Sequence, residues 1–266
     1  MKDPGQAPIW RNRTWMLFSI VFFSQLLMGL FIDEIFLMTG KLHLPIPALI
    51  AAGPVYRWEV SFMPILFLST ILLTGPAWCS HLCYFGAFDN WSAAKNRISS
   101  RPIKNKTRLK FSFLLLVIAS AIVLRIFNVS ALWTTVLAIT FGTGGLIIIF
   151  FITRRKGKMI HCVTYCPIGT ITNYLKFVSP FRFKISNLCT LCQACTANCK
   201  YDALNLHNLK EQKPGITCTL CGDCLNSCRH GALYYKFPWL NPERSRNLYL
   251  ILTVSVHAVF LGLARI

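Results

Sequence analysis

The charged residues divide the chain into long apolar runs and short basic segments. Four runs contain no Lys, Arg, Asp or Glu: 14–32, 60–88, 126–153 and 247–264. A helix needs roughly 20 apolar residues to cross the hydrocarbon layer of a bilayer, so each run is long enough to span it. A fifth run, 111–124, is shorter, but Arg125 can reach the interface and let its helix continue toward Asn128. The pattern predicts five transmembrane helices. The first is not a cleaved signal, because its run is too long and no small-residue cleavage site follows it.

The composition is that of a membrane protein, since 54% of the residues are hydrophobic and 14% are charged. The net charge of +19 would suggest a nucleic-acid partner in a soluble chain, but its placement favours topology instead. Segment 92–110 is basic throughout, and residues 154–158 add another basic run after the fourth span. Because excess Lys and Arg mark the cytoplasmic side, the N-terminus, 76–110 and 154–246 are predicted to be cytoplasmic and the C-terminus outside. The expected location is the inner membrane of a bacterium or archaeon, with no nucleic acid bound.

Eight of the twelve cysteines form two copies of the spacing C-x2-C-x2-C-x3-C. The first run is Cys189, Cys192, Cys195 and Cys199, and the second is Cys218, Cys221, Cys224 and Cys228. The repeat extends beyond the cysteines, because Cys-Thr-Leu-Cys opens each run and Ala-Leu follows each at 203–204 and 232–233. Such self-similarity indicates two copies of one folding unit.

The spacing suits cubane 4Fe–4S clusters, in which each iron needs one thiolate. In bacterial two-cluster ferredoxins the fourth cysteine of each run binds the other cluster. One cluster is therefore expected at Cys189, Cys192, Cys195 and Cys228, and the other at Cys218, Cys221, Cys224 and Cys199. Zinc usually takes cysteines as separated pairs, and disulfides are disfavoured in a reducing compartment. Lys200 and Arg229 replace the proline usual after the fourth cysteine and are expected to raise the cluster potentials.

The remaining cysteines form a second repeat, offset by 83 residues. Its two C-x3-C pairs are Cys79 with Cys83 and Cys162 with Cys166, each after a pair of predicted spans. The alignment also matches Gly86 with Gly169, Asn90 with Asn173, and Trp91 with Tyr174. Duplicated membrane units often pack about a pseudo-two-fold axis with the shared site between them. The four thiolates are therefore expected to converge at the cytoplasmic membrane surface and to bind a third cluster.

Other interpretations of the C-x3-C pairs stay open. A C-x3-C pair on a helix places both sulfurs on one face, which also suits another metal, a redox disulfide or core packing. For a cluster, compensating positive charge is expected from Lys95, Arg97 and the basic residues at 154–158. His81 and His161 adjoin the pairs, either as hydrogen-bonding groups and proton relays or as interfacial residues with local partners.

Together the patterns predict an α-helical membrane protein of about five transmembrane helices in two duplicated helix-pair units. An α+β ferredoxin-like domain with two clusters is inserted on the cytoplasmic side. The predicted parts are a membrane domain at 1–178, the double-cluster domain at 179–240 and a C-terminal transmembrane helix at 241–266. Haem is not expected, because no C-x-x-C-H occurs.

Over roughly 14–236 the chain resembles the NapH/NosR group of membrane polyferredoxins, with NapH the nearer of the two. That group combines paired spans, two C-x3-C-P motifs at the cytoplasmic surface and a C-terminal double-cluster ferredoxin segment. The chain departs from the pattern in three ways. Tyr84 takes the place of the first motif's proline, Lys200 and Arg229 take those of the ferredoxin prolines, and the run 247–264 lies beyond the pattern. A large flavin-binding segment, as in NosR, does not occur.

The resemblance implies electron transfer between the membrane quinone pool and a partner redox protein, often one that serves a periplasmic reductase. It also implies a quinone or quinol as ligand, ferredoxin-like or cytochrome subunits as partners, and a hetero-oligomeric quinol dehydrogenase complex. Two other classes of function stay open. One is an assembly or maturation factor for a metalloenzyme, and the other is a scaffold whose clusters are only structural.

Overall fold

The computed structural model describes residues 5–37, 44–59, 62–98 and 101–263, without the side chains of 260–263. Helices dominate this part of the chain. In order they are α1 Ala7–Phe31, α2 Leu49–Arg57, α3 Phe62–Thr74, α4 Tyr84–Ala93, α5 Lys106–Ile126, α6 Ala131–Ile147, α7 Arg154–Lys156, α8 Pro167–Leu175, α9 Leu206–Lys210 and α10 Pro242–Leu263. The strands β1 Arg182–Ile185 and β2 Leu233–Lys236 pair with each other.

Four helices of the described chain are long and apolar enough to cross a membrane. They are Ala7–Phe31, Phe62–Leu82, Lys106–Ile126 and Ala131–Lys156. Only 17% of the apolar window is buried in each of the last two, so most of their apolar surface is left uncovered by the rest of the described chain. The fifth predicted span, 247–264, falls on α10, whose final side chains lie outside the described residues. That span stays a prediction.

The apolar run 60–88 was expected to form one span, and the structure divides it. α3 ends at Thr74, where Gly75 adopts a left-handed backbone at φ +63° and Pro76 supplies no amide hydrogen. A π-helical turn follows at Trp78–Leu82, called here the first π-turn, and Cys83 is extended at φ −69° and ψ 118°. The first cysteine pair therefore lies on a break between helices, not on a regular α-helix.

The second cysteine pair lies on the same local structure. A second π-turn spans His161–Tyr165, Cys166 is extended at φ −72° and ψ 120°, and α8 begins at Pro167. The repeated glycine has a steric reason in both copies. A Cβ on Gly86 would lie 3.1 Å from the Cys79 carbonyl oxygen, and one on Gly169 would lie 2.5 Å from that of Cys162. Glycine allows each short helix to pack against its own cysteine turn.

The segment 179–240, predicted to be ferredoxin-like and called the ferredoxin-like segment below, is built on the antiparallel pair β1 and β2, with Phe183 opposite Tyr235 and Ile185 opposite Leu233. The two cysteine runs lie between these strands in sequence. Tyr249 of α10 is fully buried against this core, with its ring centroid 5.0 Å from that of Tyr235. α10 therefore packs on the sheet through its first half.

Asp202, in the ferredoxin-like segment, joins that segment to the residues around the start of α5 and just after α7. Its carboxylate accepts from Lys158 Nζ at 2.5 Å and from Lys106 Nζ at 2.9 Å. It also accepts from the Ile103 amide at 3.0 Å. Burial acts to raise the pKa of Asp202, but the two lysines and the amide outweigh it and hold the pKa below its ordinary value.

Candidate metal centres

The two four-cysteine runs line two separate cavities. Cys189, Cys192 and Cys195 of the first run share a cavity with Cys228 of the second. The second cavity is lined by Cys199, Cys218, Cys221 and Cys224. Each cavity thus takes three thiols from one run and the fourth from the other.

Backbone amides complete both cavities in equivalent ways. The Ala203 amide donates to Cys199 Sγ at 3.3 Å, and the Ala232 amide donates to Cys228 Sγ at 3.3 Å. These alanines belong to the Ala-Leu pair that follows each run, which explains why the repeat extends beyond the cysteines. Four thiols around an empty volume, with amide hydrogen bonds to sulfur, fit a 4Fe–4S cluster in each cavity.

The two cavities differ in exposure and in nearby charge. Cys192 of the first cavity is exposed, and an amide hydrogen bond from Ala194 lowers the pKa of its thiol. In the second cavity burial raises the pKa of Cys221, and the Arg11 guanidinium partly opposes that effect. Lys176 Nζ also reaches this cavity and donates to the Cys218 carbonyl at 3.1 Å. The second cavity is therefore the enclosed one and has buried cations beside it.

The thiols of both C-x3-C pairs are brought together in the core. Cys79, Cys83, Cys162 and Cys166 are each 6–8% exposed. Burial raises the pKa of the Cys162 thiol, and Asp89 and the other three cysteines raise it further. Burial likewise raises the pKa of Cys166 to about 12, against backbone hydrogen bonds from Ile168 and Gly169. The four thiols are thus close enough to interact electrostatically. The second cysteine of each pair also accepts hydrogen bonds from backbone amides of the helix that follows it.

Each copy of the membrane repeat also reaches the cysteine turn of the other. Thr172 of α8 lies 3.6 Å from Cys79 Sγ, and Asp89 of α4 accepts from the Cys162 amide at 2.9 Å. The two positions are equivalent, 83 residues apart, so the contacts obey the repeat. Burial raises the pKa of Asp89 to about 6, with the Cys162 amide and Thr153 opposing it. Sequence reasoning did not single out either residue, although each directly precedes the aligned asparagine.

Asp89, His161 and Cys162 form a second possible ligand set at this site. Their ligand atoms lie within 4.8 Å of one another, and all three residues are buried. The Nδ1 atom of His161 has no hydrogen-bond partner among the described residues. Such a mixed set suits a single metal ion. A single ion there would use one of the four converging cysteines, whereas a cubane cluster would use all four.

Lys110 of α5 is a cation beside the C-x3-C thiols that the sequence did not single out. It is 4% exposed and interacts electrostatically with Cys79 and Cys162. Of the cations expected there, Lys95, Arg97 and Arg154 are exposed, and Lys158 is buried but bound to Asp202. Packing of α5 brings Lys110 to the thiols, so distance along the chain does not report it.

The two histidines beside the pairs have different surroundings. His81 Nδ1 lies 2.9 Å from Ser80 Oγ, and its carbonyl lies 2.6 Å from His257 Nε2, so it has local partners. His161 packs its ring against Phe85 and Tyr165, with centroids 5.5 and 5.6 Å away, and keeps Nδ1 unpaired. Of the two, His161 is the one able to bind a further group.

The second cavity adjoins the C-x3-C turns, and the first opens to solvent. Tyr201 lines the second cavity, and its hydroxyl donates to the Cys79 carbonyl at 2.7 Å. Cys162 and Tyr201 belong to one apolar cluster, against which Cys199 and Cys221 pack. The three sets of cysteines are therefore arranged in series, from the membrane turns through the second cavity to the exposed first one.

A family model described as a 4Fe–4S binding domain matches residues 56–106 and 126–186. Each matched stretch contains one C-x3-C pair with its preceding helix, so the matches follow the membrane repeat. No curated protein and no solved structure matches the chain. The match supports an iron–sulfur protein that carries 4Fe–4S clusters, within a mostly helical chain that has four possible membrane-spanning helices.

Proposed function

We propose that the protein is a membrane-bound electron-transfer subunit with three 4Fe–4S clusters, working between the quinone pool and a soluble redox partner. The observation that carries the proposal is the grouping of all twelve cysteines into three sets of four, arranged in series. A bound 4Fe–4S cluster supplies one-electron transfer, and the protein supplies spacing, charge and solvent exclusion. The resemblance to the NapH/NosR group agrees with this function.

Residues of the chain give each site a different setting. The membrane set, Cys79, Cys83, Cys162 and Cys166, is buried and has the Lys110 ammonium group near it. The second cavity is held against the C-x3-C turns by Tyr201. The first cavity places Cys192 at the surface, where a partner can approach it. Electrons from the membrane would thus pass through buried, water-poor sites to the exposed first cavity, where the partner accepts them.

The quinol is proposed to bind beside His161. Its Nδ1 is buried and unpaired among the described residues, so it is available to accept a hydrogen bond from a quinol hydroxyl or, as the Nδ1–H tautomer, to donate one to a quinone oxygen. The adjacent residue is Cys162, so a quinol held there would lie next to the membrane set. Burial lowers the pKa of His161 to about 3, which keeps the imidazole neutral and fits it to orient the quinol by hydrogen bonding.

A second candidate is an assembly factor that handles a metal ion. The Asp89, His161 and Cys162 group favours it, because mixed carboxylate, imidazole and thiolate ligands suit a single transition-metal ion. The two candidates differ in metal content. Electron transfer requires iron and sulfide at the membrane set, whereas an assembly role allows another metal at these three residues.

The test is anaerobic purification of the full chain in detergent, with iron and acid-labile sulfide analysis and EPR. Three clusters predict roughly twelve irons and twelve sulfides per chain. A short-chain quinol should then reduce EPR-visible clusters, and His161→Leu should abolish that reduction while dithionite still reduces them. About eight irons per chain together with bound copper or zinc would instead favour the assembly factor. Full iron content with no reduction by any quinol would contradict the quinone link.

A further inference from the structure

The two cysteine loops of the ferredoxin-like segment share one backbone conformation. Each contains a short 3-10 turn, Thr196–Asn198 in the first run and Leu225–Ser227 in the second. Left-handed backbone occurs at Leu191 in the first run and at the equivalent Leu220 in the second. Each residue of one loop therefore has a counterpart 29 positions away in the other, and the surroundings of the two can be compared position by position.

The face around the second cavity is covered by α1, α4 and the first π-turn. The Thr219 carbonyl accepts from the first π-turn at 3.0 Å, and the Asp223 carboxylate accepts from α1 at 2.6 Å. Lys200 donates to α4 at 3.0 Å, and Tyr201 donates to the first π-turn at 2.7 Å. These four positions form a docking face that holds one side of the ferredoxin-like segment against the membrane helices.

The counterparts of those four positions surround the first cavity and are all exposed. They are Thr190, Ala194, Arg229 and His230. Neighbouring positions show the same difference in exposure, since Leu188 is 66% exposed whereas its counterpart Thr217 is 2% exposed. Leu191 is 37% exposed whereas Leu220 is 4% exposed. The first cavity therefore carries a face of the same shape that no described segment covers.

The two faces differ in charge. The covered face presents the carboxylate of Asp223 to a cation, and Ala194 occupies the equivalent position on the free face. The free face has Arg229 and no carboxylate of its own. Asp202, the acid that follows the first run in sequence, is bound by two lysines. The free face is therefore suited to an anionic partner and not to a cationic one.

We propose that the free face, defined by Leu188, Thr190, Leu191, Ala194, Arg229 and His230, is the docking surface for a soluble redox protein that presents carboxylates around its own cofactor. The proposal rests on the electron-transfer function above. The exposed thiol of Cys192 lies within this face, so a docked partner would approach the first cavity directly. Exposed leucines would supply the apolar centre of the contact, and Arg229 the charge that steers it.

The test uses the full chain in nanodiscs, reduced with dithionite, and two soluble probes: an acidic two-cluster ferredoxin and a basic cytochrome c. Stopped-flow rates are measured from about 20 to about 300 mM salt. The ferredoxin rate should fall as salt rises, and Arg229→Glu should lower the low-salt rate about ten-fold. Ala194→Glu, which places a carboxylate on the free face at the position equivalent to Asp223, should act in the same direction. Lys104→Glu makes the same charge change as Arg229→Glu at an exposed loop position and should leave the rate unchanged.

Three outcomes would overturn the proposal. One is a ferredoxin rate that does not respond to salt or to either variant. Another is a faster reaction with cytochrome c that Arg229→Glu accelerates. The third is slow ferredoxin reaction in anionic nanodiscs that Arg229→Glu relieves, because the face would then lie against lipid. Iron content and quinol reduction are measured on the same samples, so failure of the docking surface is distinguished from failure of the electron-transfer function.

Discussion

Arg11 of α1 and Asp223 of the second cysteine run form a two-point salt bridge, with Nε to Oδ1 at 3.0 Å and Nη2 to Oδ2 at 2.6 Å. Both side chains are nearly buried, at 3% and 9% exposure. Arg11 Nη1 also donates to the Ser80 carbonyl at 2.7 Å. The guanidinium on α1 thus binds both the first π-turn and the loop of the second cavity, through the three hydrogen bonds just given.

Arg11→Met should destabilise the protein by about 3–5 kcal/mol, because it leaves the Asp223 carboxylate buried without a partner. Thermal unfolding in detergent measures the loss. Arg11→Met combined with Asp223→Leu should recover most of it, since both charges are then gone. Arg13→Met is the matched control, because Arg13 is exposed on α1 two residues from Arg11, and it should change little. Equal effects of the Arg11 and Arg13 variants would contradict the structural role.

Asp202→Asn should also cost about 3–5 kcal/mol, since Lys158 is 5% exposed and would lose its partner. The native pKa of Asp202 is lowered, so its contribution is present above about pH 4 and is lost as pH falls through the native pKa. Acid unfolding followed by tryptophan fluorescence should therefore show a weaker pH dependence in the variant below about pH 4. An unchanged acid profile would mean that the ion pairs contribute nothing.

Cys199→Ser should damage the cluster in the second cavity, because Cys199 lines it with Cys218, Cys221 and Cys224. Cys228→Ser is the matched variant and should damage the first cavity instead. EPR of the reduced protein measures both, and the enclosed and exposed sites should give distinct signals. If Cys199→Ser removed the same signal as Cys189→Ser, the crossed arrangement would be wrong.

Cys83→Ser and Cys166→Ser should each remove the same iron–sulfur signal and about four irons per chain. The reason is that the four buried thiols of the two π-turns surround one site, and neither pair supplies four ligands alone. The clusters of the ferredoxin-like segment serve as the internal control and should persist in both variants. Unchanged iron in both variants would leave a packing or disulfide role for these cysteines.

Topology gives a prediction that does not depend on metal. From the distribution of positive residues we expect the loop after α4 to be inside and the turn at Asn128 to be outside. A reporter that is active only in the cytoplasm should work when fused after Arg97 and fail when fused after Asn128. A periplasmic reporter should give the reverse result at both positions. The opposite pattern would invert the protein and place the cysteine runs outside.

The lengths of the apolar runs and the spacing of the cysteines account for most of what could be predicted about the helices and the candidate sites. The charge-free runs located four possible spans, because a bilayer requires a minimum apolar length whatever else the chain does. The cysteine repeats located the three groups of thiols, because a short loop can offer its thiols to one cavity only at certain spacings. The family model matches 56–106 and 126–186, and each of these stretches contains one C-x3-C pair of the repeat.

Tertiary structure decided what those local rules leave undetermined. The two cysteine runs share their spacing and much of their sequence. Only packing shows that the second cavity faces α1, α4 and the first π-turn, and that the first cavity faces solvent. Asp89, Thr172 and Lys110 reach the thiols from other helices, so no spacing along the chain reports them. Sequence by itself determined which residues have ligand chemistry and which segments are apolar, because both are local properties. Which site is buried, charged or exposed depends on how distant segments pack, and that only the folded chain decides.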